Sequence, residues 1–415
     1  MNTSNEFYFQ WHFLTKCNLR CKHCYQADYI HGELSFDKLK QIADQIITAL
    51  TKWNMYGRIS LTGGEPLLSK SLFPLMDYLS NSERIISINI LTNGTLLDEQ
   101  IVDELKQYNK LKQIQISMDG GSAEEHDKVR GKGTFERALQ GIRLLKNTDI
   151  EIALMFTLMN INKNSYMNFI HLAERESVDA ITVERVTPCG NSDTNDVLTA
   201  DEIKKIYFHI TEYANNMKSK LIIRRARPLW INTKDEASDN NKIGGFCPVG
   251  LTAVAILWDG TVLPCRRLEI PLGNILEDGL FKIWYGSDVL WRIRDKNNLQ
   301  GKCRNCKNLW LCHNKQLINS HFYRGVSELP YKLLFAVIYT HLEFRYEVSH
   351  TITSHHVHHF HQTRIPDGTL LDYMVQYRKP LFPQFFLYPK KFLPENNPHH
   401  KEFHLRPYIQ NNANQ

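Results

Sequence analysis

Over its first 220 residues the chain alternates short apolar runs with amphipathic stretches. Phe7 to Leu14 (FYFQWHFL) is an aromatic-rich run that predicts a strand. Phe36 to Leu50 places Leu39, Ile42, Ile46 and Ile47 on one side of a helix. Arg58 to Thr62 predicts a strand ending in Gly63-Gly64, and Leu72 to Ser80 a helix with Pro74 in its first turn. Ile85 to Leu91 predicts a strand ending in Thr92-Asn93-Gly94, and Asp98 to Tyr108 a helix. Gln113 to Met118 predicts a strand ending in Asp119-Gly120-Gly121. Phe135, Ala138, Leu139, Ile142 and Leu145 fall in phase on the next helix. Ile150 to Leu158 and Ala180 to Val186 predict strands, with a helix around Tyr166 to Glu176 between them. Ile203, Ile206, Tyr207, Ile210 and Met217 mark another helix.

Six strand-helix units in a row imply α/β architecture with a parallel sheet. Every unusual motif lies just after a strand, at the carboxyl end where open α/β sheets and barrels place their sites. The alternation breaks near Leu221, which predicts a first domain over 1–220, a second over 221–312 and an atypical tail over 313–415.

The 415 residues allow two or three domains. An apolar fraction of 42% and a charged fraction of 23% are ordinary globular values and exclude wholesale disorder. A formal charge of +6 is mild for this length and does not call for nucleic acid. The start lacks a basic region followed by an apolar run, and the nearest candidate span, Leu333 to Ile338, is too short to cross a bilayer. A cytoplasmic protein without membrane attachment is expected.

The nine cysteines are Cys17, Cys21, Cys24, Cys189, Cys247, Cys265, Cys303, Cys306 and Cys312. An odd number without a signal peptide argues against a disulfide framework and favours metal or cluster ligation. Cys189, in TPCGNS, reads most simply as a structural thiol, with a catalytic role as the alternative. Cys17-Asn18-Leu19-Arg20-Cys21-Lys22-His23-Cys24 gives C-x3-C-x2-C on the loop after the first strand. Three thiolates on one loop can hold three irons of a cubane and leave the fourth open to an outside ligand. The plainer reading is a zinc site completed by His23 or His12.

With the other strand ends added, the sequence resembles the radical S-adenosylmethionine (SAM) superfamily over roughly residues 8 to 220. CNLRCKHCY matches its cluster loop, and Thr62-Gly63-Gly64-Glu65-Pro66 its GGE(P) motif. Leu91-Thr92-Asn93-Gly94-Thr95 matches its third-strand motif. Ile116-Ser117-Met118-Asp119-Gly120, then His126-Asp127 and Arg130-Gly131 with Gly133 and Phe135, match its fourth strand and the loop after it. The resemblance implies a partial (β/α)6 TIM-like barrel. It implies a [4Fe-4S] cluster with an open iron site on Cys17, Cys21 and Cys24, the catalytic and metal-ligating set. It also implies SAM bound beside that cluster.

Candidate SAM contacts follow. Glu65 and the carbonyls after the second strand suit the ammonium, with Gly63 and Gly64 permitting close approach and Pro66 following. Ser117 suits the carboxylate or the ribose, and Asn93 could orient the same end. Asp119 suits a ribose hydroxyl or stays nearer the substrate. Arg130 suits a carboxylate. His23 stands where the family often has an aromatic beside the adenine. Each has a plainer reading: Glu65 as a helix cap, Ser117, Asn93 and Asp119 as turn residues, Arg130 as a surface cation.

The second cysteine group resembles a SPASM domain, which implies one or two auxiliary [4Fe-4S] clusters. Cys247 and Cys265 frame Gly260, and Cys303, Cys306 and Cys312 follow in C-x2-C-x5-C spacing. A zinc ribbon on Cys247, Cys265, Cys303 and Cys306 is the alternative. The chain departs from the pattern at Gln316, where the next cysteine should stand, and no cysteine follows Cys312. His313 is a conceivable substitute ligand. Twelve of the eighteen histidines lie from His313 onward, which suggests a metal-binding tract or a frameshift or readthrough after Cys312.

The expected function is reductive cleavage of SAM to a 5′-deoxyadenosyl radical that abstracts hydrogen from a substrate. A peptide or protein substrate is favoured, because SPASM relatives mostly modify these. A small-molecule or tetrapyrrole-type step is the alternative within enzymes, and a non-catalytic zinc- or Fe–S-binding protein is the alternative outside them. A flavodoxin- or ferredoxin-type electron donor is implied. Sixteen residues precede Cys17, so a separate leader-recognition protein or direct leader contacts are expected.

Overall fold

The computed structural model describes residues 5–26, 29, 32–224, 230–232, 242–244 and 247–295. Cys303, Cys306, Cys312, His313 and the histidine-rich tail lie outside the described residues.

The alternation resolves into β1 (Glu6–Leu14), α1 (Phe36–Trp53), β2 (Tyr56–Gly63), α2 (Leu72–Ser80), β3 (Ile85–Thr92) and α3 (Glu99–Leu105). There follow β4 (Leu111–Ser117), α4 (Ala123–Arg130), α5 (Thr134–Leu145), β5 (Glu151–Leu158), α6 (Tyr166–Arg175), β6 (Ala180–Arg185), α7 (Ala200–Asn216) and β7 (Ile222–Arg224). Strands β1 to β7 pair in sequence order, all parallel. Strands β1 to β6 with their helices are the steps of the expected partial (β/α)6 barrel, and β7 adds a seventh strand at its edge.

Helix ends are set by local polar groups. Thr199 and Glu202 form a reciprocal capping box on α7. Asp98 accepts from the Ile101 amide at 2.8 Å to open α3.

Residue parity divides the sheet into two unlike faces. Phe7, Phe9, Trp11, Ile59, Leu61, Ile88, Ile90, Ile114, Ile116, Leu154 and Phe156 pack with the buried side of the helices in one apolar core. On the opposite parity, Gln10 pairs with Ser60, Ser60 with Asn89, Asn89 with Gln113 and Gln113 with Glu151. Paired residues share a face, so a polar row crosses five strands where a filled barrel would carry branched aliphatics. On the same face Arg58 is paired with Glu6 at 2.5 Å, and Arg224 with Glu151.

After two short strands, β8 (Trp230–Asn232) and β9 (Lys242–Gly244), the chain returns to the sheet. There β10 (Ala253–Ile256) lies parallel to β1, and β11 (Thr261–Leu263) and β12 (Gly273–Asn274) extend that edge antiparallel. Helices α8 (Ile275–Asp278), α9 (Leu280–Gly286) and α10 (Asp288–Arg294) complete the described residues. The sheet and the core therefore cross the boundary expected near Leu221. Trp284 of α9 meets Phe7 edge-on at 5.0 Å, and Trp53 of α1 stacks on Phe7 at 4.9 Å. Such aromatic pairs add about 0.5–1.5 kcal/mol each beyond the area they bury. No helix among the described residues is long and apolar enough to cross a membrane.

Candidate active site

The loop after β1 carries Cys17, Cys21 and Cys24, and three neighbours clamp it. The Glu65 amide donates to the Lys16 carbonyl at 2.9 Å, and the Lys22 amide to the Val129 carbonyl of α4 at 3.0 Å. On the third side the TPCGNS segment after β6 supplies Asn191, whose amide donates to the Cys24 carbonyl at 2.8 Å. The Asn191 side chain donates to the Cys21 carbonyl at 3.1 Å. Cys189 is buried in this segment, its thiol pushed up to about 11 by burial, which fits the structural reading.

The paired glycines are explained by the same clamp. A Cβ on Gly63 would stand 2.2 Å from the Leu14 carbonyl oxygen, and one on Gly64 2.1 Å from that of Lys16. Gly63 also holds a φ of +151°. These residues bring the end of β2 against the cysteine loop.

Glu65 is fully buried, and its carboxylate accepts three hydrogen bonds from its own chain. Oε1 accepts from the Leu67 amide at 3.1 Å and the Thr92 hydroxyl at 2.6 Å, and Oε2 from the Asn93 amide at 2.8 Å. It thus caps the turn Pro66–Leu68 and ties β2 to β3. Burial pushes its carboxyl up to about 7 against the pull of those donors. Asn93 is a turn residue as well: its Oδ1 accepts from the amide and hydroxyl of Thr95 at 2.9 and 2.7 Å. Its side-chain amide donates to Asn18 Oδ1 at 2.8 Å, and Asn18 donates on to Thr95 at 2.9 Å. The β3 end is thereby bound to the cysteine loop.

Asp119, His23 and Arg130 converge. Asp119 Oδ2 lies 2.6 Å from His23 Nε2 and 2.6 Å from Arg130 Nε, while Oδ1 accepts from the Thr157 amide at 2.7 Å. Burial alone would raise this carboxyl, but Arg130 and His23 hold it well below the usual range. Arg130 is 7% exposed, so it is no surface cation. Its Nη1 donates to the Cys21 sulfur at 3.7 Å. The motif after β4 is what holds it there. Ser122 opens α4, and Asp127 accepts from the Gly133 and Phe135 amides at 2.6 and 2.9 Å to start α5. His126 accepts the Asp119 amide on Nδ1 at 3.2 Å and is held down to about 4, chiefly by burial.

Of the predicted SAM contacts, Glu65, Asn93, Asp119, Arg130 and His23 are thus engaged with one another and with the backbone. Pro66 is buried as the first residue of its turn. Ser117, half-buried at the end of β4, has its hydroxyl uncommitted among the described residues. Thr157 joins the site without any signal in the sequence, whereas Asn18, Thr92 and Asn191 stand inside the motifs CNLRCKHCY, LTNGT and TPCGNS without being singled out by them.

The three loop thiols suit a cubane cluster. The Leu19 amide donates to the Cys17 sulfur at 3.4 Å. Burial pushes the Cys17 thiol up to about 11 and raises that of Cys21, a cost that iron ligation offsets by supplying positive charge. Of the histidines in the zinc alternative, His23 faces Asp119 through Nε2 at 2.6 Å and buried His12 faces the Tyr25 hydroxyl through Nδ1 at 3.4 Å. Among the described residues no three His, Cys, Asp or Glu side chains converge on a single ion. Further along, Cys247 is buried, and the Cys265 sulfur accepts from the Arg267 amide at 3.4 Å.

Comparison with known proteins agrees with this architecture. The profile of the Radical SAM superfamily matches residues 11–173, and that of SPASM, an iron-sulfur cluster-binding domain, matches residues 247–307. The AdoMet-dependent heme synthase of Methanosarcina barkeri is 29% identical over 326 residues, spanning 73% of this chain and 88% of the relative. The mycofactocin maturase MftC of Mycolicibacterium smegmatis is 27% identical over 319 residues, spanning 73% and 76%. Among solved structures, Streptococcus suis SuiB bound to S-adenosylmethionine superposes with a TM-score of 0.61 at 18% identity, covering 76% of this chain and 74% of that one. Residues 11–173 are thus a radical SAM domain and residues 247–307 a SPASM domain, in an enzyme whose cofactors are a [4Fe-4S] cluster and SAM.

Proposed function

We propose that Cys17, Cys21 and Cys24 hold the SAM-cleaving cluster and that the substrate is a peptide or protein lying over the polar face of the sheet. A reduced cluster held there would supply the single electron for reductive cleavage of SAM, and with it the means of abstracting hydrogen from the substrate. The observation that carries the ligand assignment is the clamped loop. Its three sulfurs stand at the carboxyl end of β1 beside the joined ends of β2 and β3.

The chain's own residues would position the parts. The Ser117 hydroxyl and the backbone carbonyls after β2 would suit the amino-acid end of SAM. Glu65, Asn93 and Asp119 support that shelf from beneath. Cys247 and Cys265, with Cys303, Cys306 and Cys312, are proposed auxiliary-cluster ligands. A small flavodoxin- or ferredoxin-type protein is the proposed electron source, and a separate protein the proposed reader of any leader.

The sheet's interior supports the peptide reading. Gln10, Ser60, Asn89 and Gln113 are neutral hydrogen-bonding groups, and on the same face Arg58 and Arg224 carry the carboxylate partners Glu6 and Glu151. Such a surface suits peptide amides better than a polycarboxylate. The heme synthase likeness favours a tetrapyrrole substrate as the second reading.

The test is anaerobic reconstitution with iron and sulfide, then dithionite and SAM, with 5′-deoxyadenosine as product. Substituting Cys17, Cys21 or Cys24 by Ala should abolish cleavage, and substantial cleavage surviving any one of them would remove the loop from the site. Mass spectrometry after incubation with peptides encoded beside the gene, and separately with a carboxylate-bearing iron porphyrin, decides the substrate class. A SAM-dependent mass change on the porphyrin alone overturns the peptide reading.

A further inference from the structure

Arg130 does more than pair with Asp119. All three of its nitrogens face protein partners: Nε the Asp119 carboxylate at 2.6 Å, Nη1 the Cys21 sulfur at 3.7 Å, and Nη2 the His23 ring at 3.3 Å. Cys21 is 8% exposed and Asp119 fully buried, so water screens these contacts little. The three loop cysteines are consequently unequal. Among the described residues Cys21 receives a guanidinium N–H, whereas Cys17 receives the Leu19 amide.

We propose that Arg130 is a positioning residue that donates an N–H to the Cys21 sulfur and thereby raises the reduction potential of the cluster held by the loop. This rests on the cluster assignment made above. A reduced cluster carries one more negative charge, shared by its thiolate ligands. A donor aimed at one of those sulfurs stabilises the reduced form more than the oxidised one.

Asp119 has the complementary part. It cancels the net charge of the guanidinium, so the effect on the cluster is that of a directed hydrogen bond and not of a free cation. The Thr157 amide at 2.7 Å fixes the carboxylate from β5, and the Asp119 amide is anchored on His126 at 3.2 Å. The guanidinium is thus aimed by groups on β5, on α4 and on the loop after β4. An ammonium at the same position lacks the planar fork that reaches Asp119 and Cys21 together.

The experiment is a redox titration of the reconstituted, SAM-free enzyme, followed by EPR of the reduced cluster. Protein lacking the three loop cysteines provides the background of any auxiliary clusters. In Arg130→Lys the ratio of reduced to oxidised cluster at a fixed poise should fall about tenfold, equivalent to ~59 mV for a one-electron couple. In parallel, wild-type protein grown on 15N-labelled arginine should show an arginine nitrogen coupling to the reduced cluster in pulsed EPR. This second measurement stands whether or not the variant loads iron. Absence of the coupling, or a wild-type potential in Arg130→Lys at full iron content, overturns the proposal. If instead the background protein carries the same iron and spectrum as wild type, the loop holds no cluster and the assignment beneath the proposal fails.

Discussion

Replacing Glu65 by Gln alters one atom of a side chain that is fully buried and accepts three hydrogen bonds. Each carboxylate oxygen faces a backbone amide, Leu67 on one side and Asn93 on the other. A glutamine has one oxygen and one NH2, so whichever way it turns, one buried amide meets a donor. A buried donor left unsatisfied costs about 1–3 kcal/mol, and the remaining bonds lose their charge assistance. The expected destabilisation of the shelf is about 2 kcal/mol. It is best read locally, by hydrogen exchange at pH 8.5, above the value of about 7 to which burial pushes the carboxyl, so that the wild type is ionised. The Leu67 and Asn93 amides should exchange roughly 30-fold faster in the variant at matched iron content. Unchanged exchange, with SAM binding weakened instead, would mean that the carboxylate serves the ligand and not the ends of β2 and β3.

Other outcomes follow from the same geometry. Gly64→Ala sets a Cβ against the Lys16 carbonyl and should displace the cysteine loop; iron content equal to wild type would show that the clamp yields easily. Glu176, joined to Arg143 at 3.0 Å and Lys146 at 2.8 Å, is held at about 2, chiefly by the Arg143 hydrogen bond. Its folded value lies below the unfolded one, so its contribution is present above about pH 4.5 and lost as pH falls toward 2. Its partners are partly exposed, so Glu176→Gln should cost only ~1–2 kcal/mol at pH 7 and flatten the acid limb of a stability profile; an unchanged acid limb refutes this. Translation of the other two frames past the Cys312 codon should reveal a C-x3-C continuation and a final cysteine, and their absence from both frames ends the frameshift proposal.

The barrel was legible because parallel strands flanked by helices leave short apolar runs that end in turn residues, as at Ile85–Thr92 and Leu111–Ser117. Helix α4 was not. Its sequence AEEHDKVR is mostly polar, and its start is set by the Ser122 cap, not by periodicity. The return of β10 to β1 was invisible as well, because a four-residue run such as AVAI carries no address. At the site, the cysteine spacing announced itself on one loop. The partners of the Glu65 and Asp119 side chains lie up to 28 and 96 positions away, and no local pattern records such pairings.

The pairing of β1 with β10 has a consequence in time. Phe7, Phe9, Trp11 and Phe13 leave the ribosome well before their neighbour strand, and one edge of β1 stays open until Ala253–Ile256 has been made. At about 5–20 residues per second, that wait lasts roughly 10–50 s. For that interval the nascent chain exposes an aromatic strand with a free row of amides and carbonyls, the geometry that invites pairing with another chain. Chaperone capture during synthesis should therefore govern the yield of this enzyme more than the stability of the finished fold.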